Sequence, residues 1–121
     1  MFRHKETVIF NSEFNIPESG NVISGSCTVL TSIGIPDNFE SSKVIFCKVN
    51  VNASITGVDS PLFKVISISE FSVEKDDSPE DVIQEKADKE CAPIAIQKTF
   101  ERIADVTELL CGQRIDLSSN N

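Results

Sequence analysis

Apolar and polar residues alternate along four stretches in the first two thirds of the chain, which is the pattern of half-buried β-strands. The alternation is cleanest in the third stretch, where Ile45, Cys47, Val49, Val51 and Ala53 share one face. Turn-forming residues separate the stretches, and one of these separators, residues 36–42, is predicted to be a loop. The four predicted strands are residues 6–16, 22–35, 43–56 and 62–74.

The first and fourth predicted strands differ in their faces. In the first, alternation places Val8, Phe10, Phe14 and Ile16 together on one face. In the fourth, both faces are apolar, since Ile66 and Ile68 lie opposite a face that is itself apolar. Two interpretations stay open for these isoleucines: scattered surface residues, or a surface that binds a client or a second copy. The face opposite them contains Phe63, Val65, Phe71 and Val73.

A helical pattern follows the fourth strand. Ser78 and Pro79 suit the N-cap and the first helical position, and Pro93 is predicted to break the helix. Gly112 stands where a left-handed C-cap belongs. After the break, an apolar stripe at steps of four and three contains Ile96, Phe100, Ile103, Val106 and Leu110.

Four sequential strands followed by a helix predict an α+β fold. We expect a four-stranded antiparallel sheet with the proline-broken C-terminal helix packed on one face. The length of 121 residues fits a single domain, residues 1–121, in which residues 1–21 form an N-terminal strand and turn. One broken helix covers only part of such a sheet, so burial of the rest by oligomerisation is expected.

The charge is strongly acidic, with a net value of −8. The acids concentrate in residues 70–90, which form either a solvated surface or a docking surface for a basic partner. Nucleic acid is a poor partner for such a chain, because phosphate binding needs clustered Lys and Arg. The candidate acidic docking residues are Glu74, Asp76, Asp77, Glu80 and Asp81.

Cofactor and catalytic chemistry is not indicated by the sequence. The four cysteines have no CxxC or zinc-knuckle spacing, and each falls on an apolar face, so buried free thiols without a metal are expected. His4 is the only histidine, and no Gly-rich phosphate loop or Gly-x-Ser-x-Gly motif occurs. No enzymatic activity and no cofactor are therefore expected.

The ends and the hydropathy of the chain bear on its location. No run approaches 18 apolar residues, which argues against membrane insertion. The first residues lack the apolar core of a signal peptide. A cytoplasmic protein is expected.

Several segments, taken in order, resemble the SecB family of export chaperones. The run 43–54, Lys-Val-Ile-Phe-Cys-Lys-Val-Asn-Val-Asn-Ala-Ser, is similar to the family's central strand, and residues 70–73, Glu-Phe-Ser-Val, to the end of its last strand. Residues 90–94, Glu-Cys-Ala-Pro-Ile, resemble the start of its broken helix. Residues 101–107, followed by Gly112 and the apolar tail 115–117, match the helix and its end.

The resemblance implies a four-stranded sheet with a long helix, assembled as a dimer of dimers. Family members hold unfolded clients in apolar grooves without ATP, and export members transfer them to the SecA motor. The candidate oligomer-interface residues are Ile103, Val106 and Leu110. The candidate client-binding residues are Phe63, Ile66, Ile68, Phe71, Ile94, Ile96 and Phe100.

Two departures from the family refine this expectation. Lys64 stands where export members carry an acid that docks SecA, so the reversed charge argues against direct SecA docking. Residues 96–100 replace the family's Phe-Pro-Tyr-x-Arg signature, so the helix is expected to serve more as an oligomer interface than as a client groove. We expect a SecB-like chaperone for exported or dedicated clients, such as an antitoxin. The alternative is a non-catalytic oligomeric adaptor that kept the interface without general chaperone activity.

Overall fold

Four strands and two helices make up the computed structural model, which describes residues 2–15, 25–55, 61–74, 79–112, 114–115 and 117. The strands form one antiparallel sheet, and the longer helix packs against one face of it, so the predicted α+β fold is confirmed. The elements are β1 (Phe2–Phe14), β2 (Gly25–Gly34), α1 (Phe39–Ser42), β3 (Val44–Ile55), β4 (Pro61–Val73) and α2 (Glu80–Cys111).

The strand order is β1-β4-β3-β2, so the two central strands are β3 and β4. Residues of one face of these strands are completely buried beneath α2, among them Ile45, Val49, Phe63 and Phe71. We call this the inner face, and the opposite one the outer face. The inner-face residues predicted for the third strand are confirmed, because large β-branched and aromatic side chains at every second position bury one side of a pleated strand.

Strand β1 is irregular, and the face predicted for it is wrong. Register shifts occur between His4 and Glu6 and between Ile9 and Asn11. Val8 pairs with outer-face Ile68 and is half exposed, whereas Phe14 packs with the inner-face cluster. The second shift adds one residue between them, and an added residue reverses the alternation of faces beyond it. Ile16, which was assigned to the same face, lies outside the described residues.

Helix α2 is continuous over 32 residues, so the predicted break at Pro93 is wrong. Pro93 lies on the exposed side of the helix. A proline leaves the carbonyl of residue i−4 without its helical donor, and here that carbonyl belongs to exposed Lys89, where water can serve it. The helix begins one residue later than predicted, with Pro79 at the N-cap, while Ser78 lies outside the described residues. Gly112 is confirmed as the left-handed C-cap, with a φ of 74°.

The buried side of α2 crosses the predicted apolar stripe and coincides with it only at Ile103. Its members are mostly small and recur at steps of four, and two of them are threonines. Because small side chains let the helix axis lie close to the sheet, the larger Ile96 and Phe100 flank this row and are only partly buried. The buried row is Ile83, Ala87, Cys91, Ala95, Thr99, Ile103 and Thr107.

A short helix, α1, occupies part of the segment that was predicted to be a loop. Phe39 is buried and holds this turn on the inner-face cluster. Lys43 ends it in a left-handed conformation (φ 51°), with its backbone N–H donating to the Phe39 carbonyl at 2.8 Å. Its ammonium group also lies 5.2 Å from the centre of the Phe39 ring, a cation–π contact that offsets part of the strain.

Candidate functional site

An apolar opening of about 360 Å³ lies between the inner face of the sheet and the C-terminal half of α2. Phe63 of β4 and Phe100 of α2 contribute aromatic rings to its lining. Cys27 and Val29 of β2 line the sheet edge, while Ile115, beyond the helix, lines the other side. Apolar side chains that face a cavity open to water are suited to hold an apolar segment of another chain.

Small residues next to Phe63 create the depth of this opening. Ala53 is the direct partner of Phe63 across β3, and Ser54 follows it along the strand. Phe63 itself is fully buried and packs against the Phe14 ring of β1 at a centroid distance of 5.7 Å. The floor is therefore fixed by core packing and cannot move without loss of stability.

The C-terminal segment forms the opposite lip. After the turn at Gly112, the Ile115 backbone N–H donates to the hydroxyl oxygen of Thr107 at 3.0 Å. Arg114 pairs with Asp105 at 2.7 Å and more weakly with Glu108 at 3.4 Å. These contacts place Ile115 and Leu117 beside the opening. The sequence marked residues 115–117 as an apolar tail after a C-cap glycine, but assigned them no role in binding.

The predicted burial of the cysteines is confirmed only in part. Cys47 and Cys91 are buried free thiols, and burial raises their pKa values to about 11 and about 12. Cys27 is a free thiol too, but it is exposed, so the prediction of burial is wrong for it. It lies on edge strand β2, where the helix does not extend far enough to cover it, and partial desolvation raises its pKa. The side chain of Cys111 lies outside the described set.

The predicted client-binding residues do not form one surface. Phe100 is partly buried and lines the opening above Phe63, which has no exposed surface, and Ile96 packs partly buried beside the core. Phe71 has no exposed surface, because α2 and β1 cover it, so no client contacts it in this conformation. The remaining three lie elsewhere: Ile66 and Ile68 on the outer face, and Ile94, 38% exposed, on the solvent side of α2.

The predicted oligomer-interface residues also differ from one another in their exposure to solvent. Ile103 is fully buried within this chain by the sheet and offers no surface to a second copy. Val106 is partly buried, while Leu110 is 62% exposed. Leu109, which the sequence pattern did not single out, is 85% exposed and extends the apolar surface at this end of the helix. The spacing of apolar residues predicted the stripe, but it does not show which residues of the stripe are covered by the sheet of the same chain.

The acidic candidates lie around the start of α2. Glu74, Glu80 and Asp81 are exposed, and Asp76 and Asp77 lie outside the described residues. Asp81 also joins a shallow polar recess between α2 and the end of β2. Lys64 is exposed on the outer face, away from these acids along the sheet.

Buried hydroxyl groups connect the sheet to its covering elements. The Ser67 and Thr99 hydroxyls, both fully buried, lie 2.6 Å apart, and Thr99 donates to the Ala95 carbonyl at 2.7 Å. Near β1, the Thr7 hydroxyl lies 2.7 Å from that of Ser69. Both pairs satisfy polar groups inside an apolar core; the Ser67–Thr99 pair fixes the helix in register on the sheet, and the Thr7–Ser69 pair joins β1 to β4.

His4 extends the second hydroxyl pair, with its Nε2 atom 2.8 Å from the Thr7 hydroxyl. Its ring also meets the edge of Phe71 at a centroid distance of 5.3 Å. Desolvation lowers the pKa of His4, nearby Lys98 lowers it further, and Glu101 acts in the opposite direction.

Among the described residues, no group of three or more His, Cys, Asp or Glu side chains is placed to hold a metal ion. The described helices also include none that is long and apolar enough to span a membrane.

Known proteins resemble this chain in fold but not in sequence. No protein-family model and no curated protein sequence matches it. The Mycobacterium tuberculosis Rv1957 SecB-like chaperone, solved in complex with a ChAD peptide from the Rv1956 HigA1 antitoxin, superposes with a TM-score of 0.68. The match covers 96% of this chain and 87% of that chain at 10% identity. A protein of unknown function from Streptococcus agalactiae matches at a TM-score of 0.40 with 15% identity, covering 97% of this chain and 96% of that one. The first likeness shows that this chain has a SecB-like fold.

Proposed function

We propose that this protein is a non-catalytic, ATP-independent chaperone that binds unfolded or partly folded client segments at the apolar opening. The observation that carries the proposal is the meeting of Val29, Phe100 and Ile115, all partly buried, around a cavity that is open to water and has the buried Phe63 as its floor. The SecB-like fold supports it, because the neighbour with that fold was solved with a bound peptide.

The chemistry of the opening suits binding of many sequences. Apolar contact is non-directional, and each apolar side chain removed from water contributes roughly 1.5–3 kcal/mol. A cavity of about 360 Å³ accommodates two or three large side chains of an extended segment, which gives weak, reversible binding. The polar rim of Ser26 and Ser54 adds hydrogen-bonding groups without reading a particular sequence.

The client is either an export substrate or a dedicated partner such as an antitoxin. The neighbour's bound peptide comes from an antitoxin, which favours the dedicated role. Direct docking of SecA is disfavoured by the exposed cation Lys64. We further propose a cytoplasmic, single-domain protomer that works as a homo-oligomer, without nucleic-acid partners and without membrane insertion.

Aggregation of a thermally unfolding model enzyme, followed by light scattering, tests general chaperone activity. The proposal expects suppression by the wild-type protein and a loss of suppression in Phe100→Ser, because a polar side chain there weakens the apolar lining. Ile94→Ser is the matched control, since Ile94 is on the same helix but away from the opening.

Binding of a fluorescent, extended apolar peptide, measured by anisotropy, tests the site itself. Phe100→Ser should weaken binding by roughly tenfold or more, and Ile94→Ser should leave it unchanged. Absence of both peptide binding and suppression at several-fold molar excess would refute a general chaperone. A dedicated chaperone would still capture its own client in a pull-down.

A non-catalytic oligomeric adaptor is the second candidate. The partly exposed apolar residues of the outer face favour it, because Ile66 and Ile68 lie on the side of the sheet away from the opening. An adaptor would form a stable oligomer and leave both the model enzyme and the peptide unaffected.

A further inference from the structure

The two edges of the sheet differ in how well they are protected against the addition of another strand. Charged side chains, prolines and bulges are the features that keep a further strand from pairing with an edge. Strand β1 has such features, because two register shifts interrupt it and it contains Arg3, Lys5, Glu6 and Glu13. Strand β2, at the opposite edge, contains no charged residue and no proline, and it pairs with β3 without a register shift from Gly25 to Gly34. The edge of β2 is therefore open to a further strand.

Strand β2 has free hydrogen-bonding groups along this edge. In an antiparallel sheet, the backbone N–H and C=O groups of every second residue point to one neighbouring strand. Among the described strands, only β3 pairs with β2, so about half of the backbone groups of β2 point away from the sheet. At about 3.3 Å per residue, the ten residues of this strand offer these groups over a length of about 33 Å.

The same edge forms one wall of the apolar opening. Cys27 and Val29 of β2 line the opening, and both belong to the inner face, since their register partners on β3 are buried beneath α2. A strand added beside β2 would lie about 4.8 Å from it, and every second side chain of that strand would point to the inner face. Those side chains would lie beside Cys27 and Val29 and reach toward Phe100 on the other side of the opening. The edge thus supplies main-chain hydrogen bonds at the place where the opening supplies apolar contact.

We propose that a client segment binds as a fifth strand on the free edge of β2 and places every second side chain in the opening. This inference rests on the proposed chaperone function and specifies the client as an extended segment with apolar residues at alternate positions. In this mode of recognition, main-chain hydrogen bonds supply affinity and pockets for alternate side chains supply preference. Because the hydrogen bonds do not depend on side chains, segments of many sequences fit the same edge.

A second copy of this chain fits the edge less well than a client segment. Two β2 strands paired about a two-fold axis run antiparallel, and an axis near the middle of the strand places Cys27 opposite the partner's Thr31 or the partner's Ile33. Those two residues border a recess that is also lined by acidic side chains at the start of α2, which are Asp81, Glu85 and Asp88. Each apolar opening would then lie beside the acids of the partner, in a pair of chains that each have a net charge of −8. An uncharged extended segment brings no such mismatch.

Methylation of the peptide backbone tests the proposal, with the full chain and fluorescence anisotropy. The probe is a fluorescent peptide in which leucine and threonine alternate, and two isomers of it carry the same number of N-methyl groups, either on the leucines or on the threonines. Successive residues of a strand present their N–H groups to opposite edges, so only one isomer loses the hydrogen bonds to β2. That isomer should bind roughly tenfold or more weakly than the unmethylated peptide, and the other should keep its affinity within about twofold.

Hydrogen exchange of the backbone amides, followed by NMR, locates the added strand on the protein. Bound unmethylated peptide should slow exchange at every second residue of β2, since the N–H groups of those residues point away from β3. Strand β1 is the matched control, because it is the other edge of the same sheet and its amides should exchange at an unchanged rate. A peptide held by side-chain contacts alone would produce no alternation along β2.

The outcomes separate strand addition from the proposed function on which it rests. Equal affinity of the two methylated isomers, or protection at β2 that does not alternate, would overturn strand addition while peptide binding itself stands. Failure of the unmethylated peptide to bind would overturn both. Slow exchange at β2 without peptide, growing slower as the protein concentration rises, would show a second copy on this edge and would overturn the proposal as well.

Discussion

The hydroxyl pair between Ser67 of β4 and Thr99 of α2 gives the sharpest prediction about stability. Thr99 donates to the Ala95 carbonyl, so the Ser67 hydroxyl must donate to the Thr99 oxygen. Replacement of Thr99 by the isosteric valine leaves the Ser67 hydroxyl buried without a partner. That change should lower the free energy of unfolding by about 1–3 kcal/mol, the cost of an unsatisfied buried donor.

Replacement of the other partner, Ser67, should lower the free energy of unfolding by a smaller amount. Ser67→Ala removes one hydrogen bond, but Thr99 keeps its bond to the helix carbonyl, so the expected loss is about 0.5–1.5 kcal/mol. In the double variant Ser67→Ala/Thr99→Val both polar groups are gone, and no donor is left unsatisfied. Its loss should therefore be smaller than the sum of the two single losses by about 1 kcal/mol or more.

Urea unfolding followed by circular dichroism at 222 nm measures these values, because the chain has no Trp or Tyr for intrinsic fluorescence. With a slope of about 1.5–2 kcal/mol per molar, a 2 kcal/mol loss shifts the midpoint by about 1 M. All variants are compared at one protein concentration, since self-association adds to apparent stability. Thr99→Ser is the control that keeps the hydroxyl. Additive losses, within about 0.3 kcal/mol, would refute the reasoning.

Four further predictions concern the site and the termini. Thr107→Val should weaken peptide binding, because it frees the Ile115 N–H and loosens the lip. Thr107→Ser should retain binding, and equal affinity of both variants would contradict this role. Iodoacetamide should modify Cys27 but not Cys47 or Cys91 in the folded protein, as mapped by mass spectrometry. Bound peptide should slow the reaction at Cys27, and an unchanged rate at Cys27 would place the peptide elsewhere. Gly112→Ala should lower stability by about 1 kcal/mol, because a side chain is strained at a φ of 74°, and an unchanged midpoint would show that the cap has relaxed. His4 has a lowered pKa in the folded state, so the unfolded chain binds the proton first and stability should fall as the pH drops below about 6.5. His4→Asn should remove this part of the pH dependence of stability. Identical profiles of stability against pH for the two proteins would argue against it.

The order of the four strands and the long helix along the chain was predicted correctly from the local pattern of apolar and polar residues. Strand β3 was predicted within one residue at each end, and the C-cap at Gly112 was correct, because side-chain alternation and glycine conformation are local properties. The face of β1 was wrong, since a bulge between Val8 and Phe14 reverses the alternation and leaves no clear mark in the sequence.

The candidate site was less predictable for a related reason. Alternation shows that Ile66 and Phe71 lie on opposite faces, but it does not show which face the helix covers. The buried row of the helix is set by small size, with Thr99 where an apolar stripe would place a larger residue. Which residues meet at the opening depends on the turn at Gly112 and on long-range packing, and neither can be read from spacing.

The strand order has a consequence for how the chain reaches its fold. Strands β2, β3 and β4 pair with their neighbours in sequence, whereas β1 pairs with β4 across a separation of 49 residues between Phe14 and Phe63 and 71 residues between Phe2 and Val73. Closing that loop carries the largest entropic cost in the sheet, so it is expected to come late in folding. The strand that is synthesised first is then among the last to find its partner, and one edge of β4 stays open until it does.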